Sequence, residues 1–307
     1  MIKEFNHQKT LSKSVVLYGI GLHSGEKVKL SLNPAPENTG IVFRRIDLNP
    51  LIEIPAMANF VSRTERGTTL EKEGVEVQTT EHLLAALMGM SVNNCFVEID
   101  GSELPIMDGS SQPFVDAIKD AEVLVQEQLQ EVFVVNELIH HTCPDTGSEI
   151  ILLPSAHTEY TVMIDFKTKV LGTQNASLLD IADFEKEIAS SRTFSFLHEL
   201  EMLLDNGLIK GGDLNNAIVY VDRPLADRNM DTLKKAFGKD EIIVKSNGIL
   251  DNLTLHHPNE AARHKLLDVI GDLSLCGMPI KGRIISNKPG HKINTDFAKE
   301  LLSIIKN

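Results

Sequence analysis

The segment RHKLLDVIGDLSLCG, residues 263–277, constrains the chain more than any other. His264, Asp268 and Asp272 follow at i, i+4 and i+8, which stacks them on one helical face a turn apart. Leu266, Leu267, Val269, Ile270 and Leu273 lie between them. A helix over 261–276 is therefore apolar over most of its surface and is expected to be buried. A buried carboxylate must be paired or bound to a metal. His and Asp four residues apart can offer a nitrogen and an oxygen to one zinc ion. The same spacing also suits a plain His–Asp ion pair.

The rest of the sequence must wrap such a helix. A chain of 307 residues suggests about two domains, at roughly 100–200 residues each. The N-terminal part reads as strand, Gly turn and strand over 14–33, a strand at 40–44 and a short meander over 60–79. EHLLAALMGM follows Thr80, a fair N-cap, and sets Leu83, Leu84, Leu87 and Met88 on one helical face. CFVEI (95–99) is a strand, 101–112 a loop and 113–121 a helix. The polar stretch VLVQEQLQE marks a domain boundary near residue 127, dividing the chain into 1–127 and 128–307. Beyond it, strands are expected at 131–142, 149–155 and 161–166 and a short helix at 180–190. A β-α-β unit covers about 192–222, with RTFSF, HELEMLLDNGL (198–208) and NAIVYV as its parts. The 261–276 helix, a strand at 282–290 and a helix over 294–305 complete the chain. The fold class is α+β, with each half a sheet covered by helices on one face.

Composition narrows the function. The net charge is −13, so the chain has no general attraction for nucleic acid. A phosphate-bearing small molecule would need a local Lys, Arg or His cluster. Cys95, Cys143 and Cys276 show no C-x-x-C spacing, and their odd number argues against a disulfide framework. A reducing, cytoplasmic setting fits best. The start, MIKEFNHQKT, lacks the apolar stretch of a secretory signal, and no apolar run reaches the ~18 residues of a membrane span.

Three further clusters carry chemistry. In TTEHLLAAL, His82 can join a metal while Glu81, about 100° away on the helix, stands beside it as a base. Both also suit ordinary roles in a first helical turn. In PGHKIN, His291 follows a Gly turn, and a loop His near a metal can protonate a leaving amine. GIGLHSG (19–25) holds His23 but lacks the G-K-[ST] ending of a phosphate loop, so a hairpin turn is the simpler reading. Asp108 in IMDGSS reads as structural. A structural zinc site would need a fourth protein ligand, and none has an obvious spacing. A non-catalytic nucleotide-sugar binder would hold no stoichiometric zinc.

In their order, GIGLHSG, TTEHLLAAL, IMDGSSQPFV, SRTF, RHKLLDVIGDL and PGH resemble the UDP-3-O-acyl-N-acetylglucosamine deacetylase family over roughly residues 10–301. The resemblance implies two similar β-α-α-β domains packed as a sandwich with small inserts, and an active site between them. It implies one catalytic zinc on His82, His264 and Asp268, with Glu81 as general base. His291 matches the cationic acid, Asp272 its orienting partner and Thr193 a hydroxyl for the oxyanion. Lys265 and Phe194 match substrate contacts. The 192–222 unit matches an acyl passage, to which Leu200, Met202, Leu203 and Leu204 would contribute. His23 is a candidate ligand for a second, inhibitory metal. The implied substrate is UDP-3-O-(3-hydroxyacyl)-N-acetylglucosamine, deacetylated in the committed step of lipid A synthesis. Some members carry a cysteine near the site where this chain reads RGTTLEKEG. Some also continue into a 3-hydroxyacyl-carrier-protein dehydratase, whereas this sequence stops at LLSIIKN.

Overall fold

Residues 4–199, 216–223, 234, 243–250 and 253–306 are described by a computed structural model. The strands of the first half are β1 (Glu4–Leu11), β2 (Val15–Ile20), β3 (Lys27–Pro34), β4 (Ile41–Arg45), β5 (Ile52–Pro55), β6 (Val61–Arg63), β7 (Thr69–Lys72) and β8 (Val75–Val77). Helix α1 (Glu81–Gly89), strand β9 (Cys95–Ile99) and helix α2 (Gln112–Ala121) follow. In β3 the alternation of VKLSL turns Val28, Leu30 and Leu32 into the core, as a period of two requires. Strands β2-β3-β9-β4-β5 form one sheet, in which β9 runs antiparallel to β3 and parallel to β4. The 60–79 meander is an antiparallel β6-β7-β8 sheet.

Strand β10 (Val123–Val134) leads to β11 (Ile139–Cys143), β12 (Ser148–Leu153), β13 (Glu159–Asp165) and β14 (Thr173–Leu178). The short helix α3 (Phe184–Glu187), β15 (Phe194–Phe196), β16 (Ile218–Tyr220), α4 (Glu260–Ser274), β17 (Ile280–Lys281), β18 (Arg283–Asn287) and α5 (His291–Lys306) complete the described elements. A second sheet has the order β11-β12-β18-β13-β14, with β18 antiparallel to β12 and parallel to β13. Its pattern repeats the first sheet. In both, the last strand in sequence enters the middle, with a buried helix before it and another helix after, consistent with the expected α+β class.

Several expectations need correction. EVFVVNELIHHT is not one strand but the end of β10 and most of β11, broken at 135–138. The expected division at 127 stands apart from these corrections: it falls inside β10, which pairs antiparallel with β1 and then parallel with β17. The helix at 180–190 reduces to a 3-10 turn at Ile181–Asp183 and α3. Strand β14, TQNASL, is too polar to stand out; only Ala176 and Leu178 are buried in it. The last helix starts at His291, three residues early. Strands β15 and β16 pair in parallel, as a β-α-β unit requires, but the 198–208 helix falls largely outside the described residues, with Leu200, Met202, Leu203 and Leu204.

The two buried helices α1 and α4 pack side by side at the centre. Every residue from Glu81 to Leu87 is buried, so α1 has no solvent face in that stretch. Gly271 makes the close crossing possible: a Cβ there would lie 2.1 Å from the Glu81 carbonyl oxygen. Among the described residues no helix is long and apolar enough to cross a membrane.

Candidate functional site

The α1–α4 crossing brings three candidate metal ligands together. His82 enters from the first turn of α1, and His264 and Asp268 from the middle of α4. The Nε2 atoms of His82 and His264 lie 3.8 and 3.5 Å from Asp268 Oδ1. One ligand atom from each residue lies within 4.8 Å of the others. The imidazoles meet edge to face, centroids 5.0 Å apart. His264 Nδ1 sits 3.1 Å from the Ser191 carbonyl, so it carries the proton and leaves the Nε2 lone pair free. Asp268 Oδ2 accepts a 2.8 Å hydrogen bond from Lys265 Nζ, whereas Oδ1 has no hydrogen-bond partner though fully buried.

Electrostatics agrees with that reading. Burial, helped by repulsion between the rings, drives the His82 pKa down to about 3, and burial also lowers His264. Both rings are neutral near pH 7. For Asp268 burial is the largest influence and acts upward, but Lys265 and the three histidines together hold the carboxyl below its ordinary range. Two neutral imidazoles and a carboxylate whose buried Oδ1 lacks a partner form a three-donor set that suits zinc and would leave a fourth position open.

A second group adjoins the first. Glu81 Oε2 accepts a 2.9 Å bond from the Thr68 amide. Burial first, then the Asp272 and Asp268 charges, raise its pKa to about 7, with His291 opposing. His291 opens α5, and its Nδ1 lies 3.0 Å from Asp272 Oδ2. Burial is the largest influence on this ring and disfavours its charge. The Asp272 charge and hydrogen bond, with Asp268 and Glu81, outweigh it and lift the pKa to about 9. They also overcome the helix N-terminus, which repels cations.

A cleft of about 300 Å³ joins both groups. Glu81, His82, His264, Lys265, Asp268 and His291 border it, as do Thr193, Phe194 and His23. Leu22, Ile106, Phe166, Phe196 and Val219 supply an apolar wall. Lys265 Nζ lies 5.6 Å from the centre of the Phe194 ring. Asp272 lies behind His291 and does not border the cleft. Asp108 caps its own turn by accepting from the amide and hydroxyl of Ser110. A larger cleft of about 420 Å³ opens near Leu87 and Met88. Its amides Gln8, Asn38 and Asn94 already bond one another, and it holds none of this chemistry.

Other buried residues organise the site and had no local signal. Thr68 and Asn294 both donate to Asp272. Glu103 accepts from the amides of His23 and Ser24 and from the Thr79 hydroxyl, tying the Gly loop to the residues before α1. Arg192 and Glu260 form a buried ion pair beside Ser191 and Thr193. Thr80 does not cap α1 with its side chain; its hydroxyl donates to the Thr68 carbonyl instead.

Comparison with known proteins follows the same lines. The sequence profile of the UDP-3-O-acyl N-acetylglycosamine deacetylase family matches residues 8–234 and 225–303. The chain is 43% identical over 298 residues to a protein of Chlorobaculum tepidum named bifunctional enzyme LpxC/FabZ, covering 96% of this chain and 64% of that protein. It is 41% identical to the UDP-3-O-acyl-N-acetylglucosamine deacetylase of Myxococcus xanthus, over 97% of this chain and 87% of that one. The protein of that name from Saccharophagus degradans is 38% identical, over 97% and 90%. The chain thus spans less than two thirds of the bifunctional relatives' length.

Proposed function

The chain belongs to the UDP-3-O-acyl-N-acetylglucosamine deacetylase family, and from that premise we propose that His82, His264 and Asp268 hold one catalytic zinc ion in a deacetylase site. The reaction is hydrolysis of the acetamide of UDP-3-O-(3-hydroxyacyl)-N-acetylglucosamine to acetate and the free amino sugar. It is the committed step of lipid A synthesis and takes place in the cytoplasm. The observation that carries the reading is Asp268 Oδ1, buried, without a donor, and facing two neutral imidazoles. When bound, zinc supplies Lewis acidity, polarising a carbonyl and bringing the pKa of a water down to about 7.

The remaining steps belong to the protein. Glu81 removes a proton from the attacking water as the water adds to the acetamide carbon. Thr193, at the cleft wall, donates to the oxyanion, worth roughly 3–4 kcal/mol if it acts as other such donors do. His291, held cationic by Asp272, gives its proton to the departing amine as the C–N bond breaks. Lys265 and Phe194 contact the substrate, and the Phe-lined wall takes the acyl chain. We read 1–127 and 128–307 as two domains packed face to face with this site between them. The repeated strand order of the two sheets supports that division. Metal content measured alongside acetate release from the nucleotide-sugar substrate tests the proposal. Full turnover in rigorously metal-free protein overturns it.

A further inference from the structure

Thr68 has a place in the site that no sequence motif suggests. It sits just before β7, and its backbone and side chain reach three different partners. Its carbonyl accepts from the Thr80 amide at 3.2 Å and from the Thr80 hydroxyl at 3.1 Å, immediately before α1. Its amide donates to Glu81 Oε2 at 2.9 Å. Its hydroxyl donates to Asp272 Oδ1 at 2.5 Å, across 204 residues of sequence. The next residue back, Gly67, is packed so closely that a Cβ there would stand 3.1 Å from Glu81 Oε1.

Asp272 is wholly buried, so each of its oxygens needs donors. Oδ2 has two from α5, His291 Nδ1 at 3.0 Å and Asn294 Nδ2 at 2.9 Å. Oδ1 has the Thr68 hydroxyl, from the other half of the chain, at the short distance of a charge-assisted bond. One residue therefore touches both carboxylates of the acid–base machinery.

We infer that Thr68 is a positioning residue: it fixes the Glu81 carboxylate and the Asp272–His291 pair relative to one another, so that base and acid stay in register across the cleft. The inference rests on the deacetylase reading, and it adds a residue from outside the motif blocks. Thr68 hydrogen-bonds neither the reacting atoms nor the three candidate metal ligands, so the loss of its hydroxyl acts through Asp272. An Oδ1 without a donor leaves more of the Asp272 charge on Oδ2, which then grips the Nδ1 proton of His291 harder and stabilises the imidazolium, so the proton on Nε2 passes to the amine less readily.

The test compares Thr68→Val, which keeps the shape and the amide, with Thr68→Ser, which keeps the hydroxyl. In the zinc-loaded full chain, Thr68→Val should lower kcat about 10–100-fold, the scale of one lost charge-assisted hydrogen bond. KM and zinc per chain should hold, and Thr68→Ser should recover most of the loss. Proton NMR gives a readout without turnover: the His291 Nδ1–H resonance should move downfield in Thr68→Val and return in Thr68→Ser. An unaltered kcat and resonance in Thr68→Val, beside an active wild-type protein, overturns the inference. So does a Thr68→Ser variant as impaired as Thr68→Val. If Thr68→Val does not fold, Thr68→Ala replaces it, and loss of fold or zinc in both makes the residue merely structural. A wild-type protein that releases no acetate would instead refute the deacetylase reading, and the NMR comparison would still decide whether Thr68 sets the Asp272–His291 bond.

Discussion

Glu260 and Asp268 lie two turns apart on α4, and their relative exposures are 0% and 1%. Both are carboxylates at the centre of the molecule, yet their surroundings differ. Glu260 is saturated: Oε1 accepts from Arg192 N and Nε, and Oε2 from Arg192 Nη2 and the His256 amide. Burial, the largest influence, pushes its pKa up, but these donors together bring it below the ordinary value. Asp268 accepts from Lys265 on one oxygen, and the other faces two imidazole nitrogens with no donor. A buried charge that serves the fold is closed by protein donors, whereas one that serves a ligand keeps a lone pair open. The proposed metal site would account for a carboxylate at 268 that packing alone does not require.

Removing Asp268 should therefore give the largest effect. Asp268→Ala should fold, because Lys265 is part-exposed and can turn its ammonium to water. It should lose zinc and all measurable deacetylation. One zinc per chain after gel filtration of Asp268→Ala would erase the contrast with Glu260. Next in size is Glu81→Gln, which keeps the shape and the bond from the Thr68 amide but removes the base. Turnover should fall roughly 10²–10⁴-fold with zinc retained. Steady-state rates within a factor of three of wild type would remove Glu81 from the mechanism.

Glu260→Ala probes the other side of the contrast. It strands the buried Arg192 guanidinium, and breaking a buried pair in this way costs roughly 3–5 kcal/mol. The expected result is a lower Tm, with about one zinc per chain still bound below that temperature. Unaltered thermal stability with loss of zinc would exchange the roles assigned to the two carboxylates.

How much of this was legible beforehand depended on whether a pattern is local. The i, i+4, i+8 spacing placed His264, Asp268 and Asp272 on one face of α4, and apolar residues between them announced its burial. Glu81 and His82 were readable as neighbours at a helix start. Pro289 and Gly290 before His291 point to a loop in the sequence. Gly290 instead accepts the first helical hydrogen bond, from the Asn294 amide at 3.0 Å. Strand β14 was hidden because its stability comes from pairing with β13 rather than from its own apolar content. Thr68, Glu103 and the Arg192–Glu260 pair were illegible, since each matters through partners 12 to 204 residues away. No periodicity reports such contacts.

The smallest expected effect is a displacement along the pH axis, and it separates Asp272 from Asp268. Asp272→Ala should keep its zinc, because Asp272 hydrogen-bonds His291, Thr68 and Asn294 and is not one of the three ligands. Turnover should fall roughly 10–100-fold, the usual cost of losing a residue that orients a functional imidazole. The informative quantity is the basic limb. In the proposed mechanism His291 works as an acid, so activity is lost as pH rises through its pKa. In the intact site that pKa is raised to about 9 against burial, chiefly by Asp272, with Asp268 and Glu81 adding to it. A bound dication opposes the charge and brings the limb somewhat below that value. Without Asp272, burial and the N-terminus of α5 both act against the imidazolium, while Asp268 and Glu81 still favour it. The basic limb should therefore move to lower pH, toward or below the unperturbed His value of about 6.5. The acidic limb, set in the proposal by Glu81, should move less, because losing the Asp272 charge that raises it is offset by losing the His291 charge that lowers it. Rate profiles at saturating substrate for wild type and Asp272→Ala measure both limbs. A basic limb that stays in place would detach the Asp272–His291 pair from proton transfer, and loss of zinc equal to that of Asp268→Ala would make both carboxylates ligands.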